Sequence, residues 1–294
     1  MLKRMKAYPI YRKYYLETNA LYQIARIKPG YLQHGFTSVL SLIEIINGIS
    51  VKNFARTKKV LQLMLDNQLQ VNSRLPQTMI FYSFDMALEN FKLIEGDIDI
   101  LLSMVNQVVK AGSYQDLSKN FQLQLEAYRA MEAKWDNTYT GITNGGYQYM
   151  KKAKYPKDQS VSIGDKVYSV GTMKDFKSFL TAEIELTRST QISAVAGMLL
   201  RNPIFSASGI TEDQLVQSYN GLIDNYIEAC AQMSILTLTN GRLAKRNDFT
   251  DLLHLVYLTE DPEACVISND RIFEEVGFKN CIKLDQVLKP KVEN

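Results

Sequence analysis

The chain has few of the residues on which zinc and triad chemistry depend: three cysteines and two histidines in 294 residues. Cys230, Cys265 and Cys281 are odd in number and far apart, which argues against the paired spacing of a zinc site and reads as buried thiols. His34 and His254 have no cysteine or histidine neighbour, so a zinc pair and a Ser-His-Asp triad are disfavoured and a solitary general-base histidine stays open. No run of about 18 apolar residues occurs, which argues against a membrane span. The basic start MLKRMKAYPIYRKYY is followed by no long apolar core and no small-residue cleavage site, so neither a signal nor a transit peptide is expected, and a cytoplasmic location is the default. A net charge of +3 is too small to mark a nucleic-acid binder by bulk electrostatics, so any basic surface must be local. No repeat of fixed period is evident.

What is present is an ordinary globular composition, 46% hydrophobic and 22% charged, long enough for one large domain or two smaller ones. The segment from Arg12 to Leu16 reads as a strand, with a polar turn at Glu17-Thr18-Asn19 and a helix from Ala20 to Ile27. Thr37 or Ser38 can cap a helix from about Val39 to Asn47, Ser50 another to about Asn67, and Leu69 to Val71 suits a short strand. From Thr78 to about Met131 the pattern predicts two or three helices, with turns at Glu95-Gly96-Asp97 and Gly112-Ser113. Trp135 to Gly171 breaks the helical rhythm at Asn144-Gly145-Gly146 and Pro156 and holds a hairpin near 161–171; helices resume over Met173 to Leu200 and Glu212 to Thr237. The last 55 or so residues alternate helix from Asp248, strand Ala264 to Ile267, helix from Arg271 and strand Cys281 to Leu284.

Strands alternating with helices at both chain ends predict an α/β fold with a central parallel sheet, three layers deep, interrupted by a mostly helical insertion. The discontinuous domain comprises 10–92 and 236–290, and the insertion 93–235.

Four acids stand where chemistry is done. Glu17 and Asp270 follow apolar strands, at the carboxyl ends where open parallel sheets bind ligands; each is equally a helix-capping acid. Glu44 interrupts the apolar run Val39-Leu40-Ser41-Leu42-Ile43-Glu44-Ile45-Ile46, so its charge needs a cation or a basic partner. Asp248 and Asp251 share a helix face; capping by Asn247 and dipole compensation account for Asp248, whereas Asp251 aligns with Leu255 and Leu258 on the packed side. Such a cluster repels itself without cations, and oxygen-only ligands select Mg²⁺ or Mn²⁺. Ions held this way activate water for phosphodiester hydrolysis.

These residues resemble the PIN domain, a compact α/β fold of metal-dependent ribonucleases that include toxins of bacterial toxin-antitoxin pairs. Tyr15-Leu16-Glu17-Thr18-Asn19-Ala20-Leu21 looks like the family's first motif, with Glu17 in place of aspartate. Ser41-Leu42-Ile43-Glu44, Asn247-Asp248 with Asp251, and Val266-Ile267-Ser268-Asn269-Asp270 resemble the others. The resemblance implies an endoribonuclease of toxin or defence-effector type, with Glu17, Glu44, Asp251 and Asp270 catalytic, these four plus Asp248 as metal ligands, and Thr18, Asn19, Asn247, Ser268 and Asn269 in support. Arg242, Lys245, Arg246 and Arg271 would meet RNA phosphates. An antitoxin or other protein partner would bind the helical middle; no membrane partner is expected, and self-association stays open. The alternatives are a catalytically weak PIN-like scaffold whose insertion binds a protein, and a helical adaptor, which requires the chain ends not to share a sheet.

Overall fold

The computed structural model describes residues 13–90, 98–152, 160–163, 165–201, 208–245, 247–258 and 263–290. Strands run over β1 (Tyr14–Leu16), β2 (Gly35–Ser38), β3 (Gln70–Asn72), β4 (Ser160–Ile163), β5 (Lys166–Ser169), β6 (Cys265–Ser268) and β7 (Cys281–Lys283). Five of them form one parallel sheet in the order β3-β2-β1-β6-β7, and β4 pairs antiparallel with β5 as a separate hairpin. Leu16 stands opposite Ile267 and Tyr15 opposite Phe36, so the two chain ends share a sheet and the adaptor reading is set aside.

From β1 the chain builds outward to β2 and β3 on one side, then returns to lay β6 and β7 on the other. The order therefore reverses between β1 and β6, and the carboxyl ends of those strands lie at the reversal, the place where α/β sheets bind ligands in a crevice.

Period-two alternation sends neighbouring side chains to opposite faces. Tyr15 joins one core with Phe36, Leu253, Val266 and Phe273. Leu16 joins the other with Ile43, Val71, Ile267 and Leu284. Helices cover both faces, which is the expected layering. The middle of the chain does not stand apart from it: Val195 and Ile227 enter the first core, and Leu101, Val105 and Phe121 the second. Val170, Phe179, Leu180 and Ile235 form a small cluster of their own beside the hairpin.

The expected helix Ala20 to Ile27 is a short helix Thr18–Leu21 and a 3-10 turn Ile24–Arg26, and the expected run Glu212 to Thr237 is two helices, Glu212–Gln217 and Asp224–Asn240. Two further differences bear on the site. Strand β2 was not anticipated, because Gly35-Phe36-Thr37-Ser38 is short and reads as a cap; Thr37 Oγ1 ties it to β1 by donating to the Leu16 carbonyl at 2.7 Å. Gly35 is required there, since an added Cβ would lie 2.6 Å from the Tyr31 carbonyl oxygen and 2.7 Å from Leu16 Cδ1. Gly35→Ala should accordingly cost about 1–3 kcal/mol by overpacking, read as a lower thermal midpoint.

The second is the helix Lys119–Lys152, which continues through Asn144-Gly145-Gly146 where a break was expected. Each glycine costs a helix up to about 1 kcal/mol, and tertiary anchoring outweighs that: Phe121 and Leu125 are buried, and Arg129 and Asn144 bond to the sheet-bearing part. The expected turn at Glu95-Gly96-Asp97 lies outside the described residues. No helix among the described residues is long and apolar enough to cross a membrane.

Candidate functional site

Glu17 leaves β1 and Asp270 leaves β6, so adjacent strands deliver both to the crevice, and Asn19 Nδ2 donates to Asp270 Oδ2 at 2.8 Å across the gap. Glu17 is 2% exposed. Its Oε2 accepts from the Asn19 backbone N–H at 2.8 Å, capping the short helix Thr18–Leu21, while Oε1 is buried without a hydrogen-bond partner. The helix-capping reading thus accounts for one oxygen of Glu17 and leaves the other bare.

Glu44 comes from the helix Val39–Asn47, started by Ser38, whose side chain accepts from the Ser41 N–H. Seven of its nine residues are buried, and Glu44 faces the crevice edge with its side chain 16% exposed. Glu44 Oε2 accepts from Thr18 Oγ1 and lies 3.0 Å from Nε2 of His254.

His254 is the residue that sequence reasoning undervalued. It is 2% exposed, with Nδ1 2.6 Å from the Tyr15 hydroxyl, which also reaches Ser38 Oγ at 2.7 Å. Burial opposes its charge, but Tyr15 and Glu44 outweigh burial and hold the imidazole pKa well above its usual value. The available signal was spacing: His254 follows Asp251 by three, on the packed side of the same helical run.

Asp251, in the helix Asp248–Leu253, is half-buried. Its carboxyl is pushed up to about 8, first by burial and then by Asp270 and Glu44. The carboxyl of Glu17 is likewise raised to about 8, by burial first and Asp270 next, against the opposing pull of His254. The electrostatics therefore couple all four acids. As they stand, no group of three His, Cys, Asp or Glu side chains among the described residues is gathered closely enough to hold a metal ion. The acids lean instead on neutral or cationic neighbours, Glu44 on Thr18 and His254, and Asp270 on Asn19 and Ser268. Side-chain rotation is needed for them to converge. The donor chemistry suits a hard divalent ion: the bare Glu17 Oε1, and two carboxyls that stay protonated to about pH 8 unless positive charge arrives.

Asp248, expected as a ligand, is used otherwise. Arg242 grips it through Nη1 on Oδ2 and Nη2 on Oδ1 at 3.1 Å, and the Lys245 N–H adds a bond to Oδ2 at 2.6 Å. Arg242, expected on phosphate, also bonds Glu275 through Nε at 2.7 Å, so its donors serve an internal bridge. Removing it in Arg242→Ala leaves a carboxylate whose side chain is 6% exposed without its cation, and a loss of roughly 3 kcal/mol is expected by denaturant unfolding. Lys245→Ala and Arg271→Ala, both at exposed positions, should leave stability near wild type.

Thr18 donates to Glu44, and Asn19 and Ser268 donate to Asp270. Asn269, expected in support, turns elsewhere: its Oδ1 accepts from the Leu284 N–H at 3.0 Å and ties β6 to the segment after β7. Asn247 is exposed and makes no side-chain cap. Arg246 lies outside the described residues. Beside the acids a cleft of about 370 Å³ is lined by Asp251, Asp270, Arg242, Lys245 and Arg271, putting the exposed Lys245 and Arg271 within reach of an anionic ligand that touches Asp251 and Asp270. No family model, curated protein or solved structure matches the chain.

Proposed function

We propose that the chain is a Mg²⁺- or Mn²⁺-dependent phosphodiesterase of the PIN-type endoribonuclease class that its four motifs resemble. The observation that carries this reading is the arrival of Glu17 and Asp270 on adjacent strands at the sheet's reversal, with Glu44 and Asp251 coupled to them and Glu17 Oε1 left bare. Glu17, Glu44, Asp251 and Asp270 would hold the ion, which when bound activates water and balances charge developing on a phosphate.

The chain's own groups do the rest. Asn19 and Ser268 orient Asp270, Thr18 and His254 orient Glu44, and Lys245 and Arg271 at the cleft supply positive charge to a phosphodiester backbone. The preference for RNA, a toxin or defence role, and a protein partner on the helical middle rest on the resemblance. Incubation of single-stranded RNA, structured RNA and DNA with Mn²⁺, each with and without chelator, tests the reading. Cleavage of RNA that chelator abolishes is expected; cleavage indifferent to chelator, or of no substrate, contradicts it.

One observation favours a second reading, a catalytically weak PIN-like scaffold whose helical middle binds a protein: Glu44 Oε2 and Asp270 Oδ2 already have internal partners. A scaffold of that kind gives no heat with Mn²⁺ in calorimetry.

A further inference from the structure

The helix Lys119–Lys152 touches both acid-bearing arms of the crevice. About a third of the way along it, Arg129 Nε donates to the Asn47 carbonyl at 2.9 Å and Nη2 to the Ile49 carbonyl at 2.7 Å, while Glu132 accepts from Asn47 Nδ2 at 2.7 Å. These bonds hold the end of the helix that carries Glu44. Roughly four turns further on, about 22 Å along the axis, Asn144 meets the other arm. Its Oδ1 accepts from the Ala244 N–H at 2.8 Å and its Nδ2 donates to the Ala244 carbonyl at 3.1 Å.

That second contact is unusual in its demands. Gly241 ends the helix Asp224–Asn240 in the left-handed conformation (φ 65°), and residues 242–245 belong to no regular element ahead of the helix Asp248–Leu253. Ala244 is buried, so its backbone donor and acceptor need partners, and one side-chain amide satisfies both. A two-point bond fixes orientation as well as distance. The next residue, Lys245, caps Asp248 through its N–H, and the Asp251 N–H bonds the Asn247 carbonyl at 2.9 Å. The position of Ala244 is therefore handed on, bond by bond, to Asp251.

We infer that Asn144, with Arg129, is a positioning residue: the long helix acts as a strut that sets where Asp251 stands relative to Glu44, and hence the affinity of the crevice for a divalent ion. This rests on the metal reading above for its consequence, and on the bonds just described for its geometry. Neither residue touches the acids, so their effect must pass through the backbone they hold.

The test uses the full chain, Mn²⁺ alone as ligand, and three variants: Asn144→Ala, Asn144→Asp, which keeps the acceptor for the Ala244 N–H, and Glu126→Ala, an exposed control on the same helix. Calorimetry should show Mn²⁺ binding weakened roughly tenfold in Asn144→Ala, less in Asn144→Asp, and unchanged in Glu126→Ala. Hydrogen exchange, measured without metal, should show lost protection in residues 247–253 of Asn144→Ala. Wild-type exchange and wild-type affinity in folded Asn144→Ala overturn the strut. Should that variant fail to fold, wild-type behaviour of Asn144→Asp in both measurements overturns it equally. Failure of the wild-type chain to bind Mn²⁺ sinks the metal reading, while the exchange comparison still decides the geometry.

Discussion

Asp251→Asn is expected to lower metal-dependent cleavage by at least about a hundredfold while making the metal-free protein more stable above pH 8. The two effects have opposite sign because the ionised carboxylate has opposite value in the two settings. Without metal it is pressed against Asp270, Glu44 and Glu17 in a shielded place, and the chain responds by holding its pKa near 8. An isosteric amide removes that repulsion and keeps the shape. With metal, the same carboxylate is a ligand, and an amide binds a hard cation far less well. Ligand-linked stabilisation is expected to disappear with it: Mn²⁺ at a hundred times its Kd adds about 2.7 kcal/mol to a protein that binds it only when folded, and none to one that does not. Thermal midpoints of wild type and variant, with Mn²⁺ and with chelator, separate these terms. Equal cleavage by the variant would remove Asp251 from the site.

The second large effect is on pH. Glu17 and Asp251 are held near 8 in the native chain, whereas carboxyls in an unfolded chain titrate near 4. Between those values the native state carries protons that the unfolded state has released, so stability is greatest below about pH 4 as far as these groups are concerned and declines as pH rises to about 8. His254 adds to the trend, since its raised pKa contributes stability below its native value that is lost on titration above it. A fall of the order of several kcal/mol is expected for the chelated protein across that interval. Manganese reverses the slope: binding displaces up to two protons below pH 8, so affinity should climb steeply with pH there. Midpoints measured from pH 5 to 8 read both slopes. A flat profile in chelator means the two carboxyls are not confined as described.

The features that determine these outcomes were unevenly legible in the sequence. Glu44 was plain, because a charge inside Val39-Leu40-Ser41-Leu42-Ile43 has no cheap resting place, and the strand Cys265–Ser268 was plain from its unbroken apolar run before a polar turn. The partner of Asp248 was not. The sequence set it apart from Asp251 as a capping acid, but its bridge depends on Arg242, brought into range by the left-handed Gly241. His254 was no more than an open general-base candidate, because a solitary histidine carries no motif; its setting depends on Tyr15, distant in sequence, turning its hydroxyl into the same core. The long helix was obscured by Asn144-Gly145-Gly146, a composition with poor helical propensity that tertiary contacts override, and its Asn144 bond to Ala244 has no local signature at all.

The claim on which everything else depends is that the four acids at the reversal of the sheet hold a divalent cation. A crystal soaked in Mn²⁺ and measured at the manganese absorption edge tests it directly. The account predicts an anomalous peak in the crevice, about 2 Å from oxygens of Glu17, Asp251 and Asp270, with Glu44 at or near the ion and Asp248 still on Arg242. An empty crevice at saturating Mn²⁺, with Glu44 still on His254 and Asp270 still on Asn19, would contradict it.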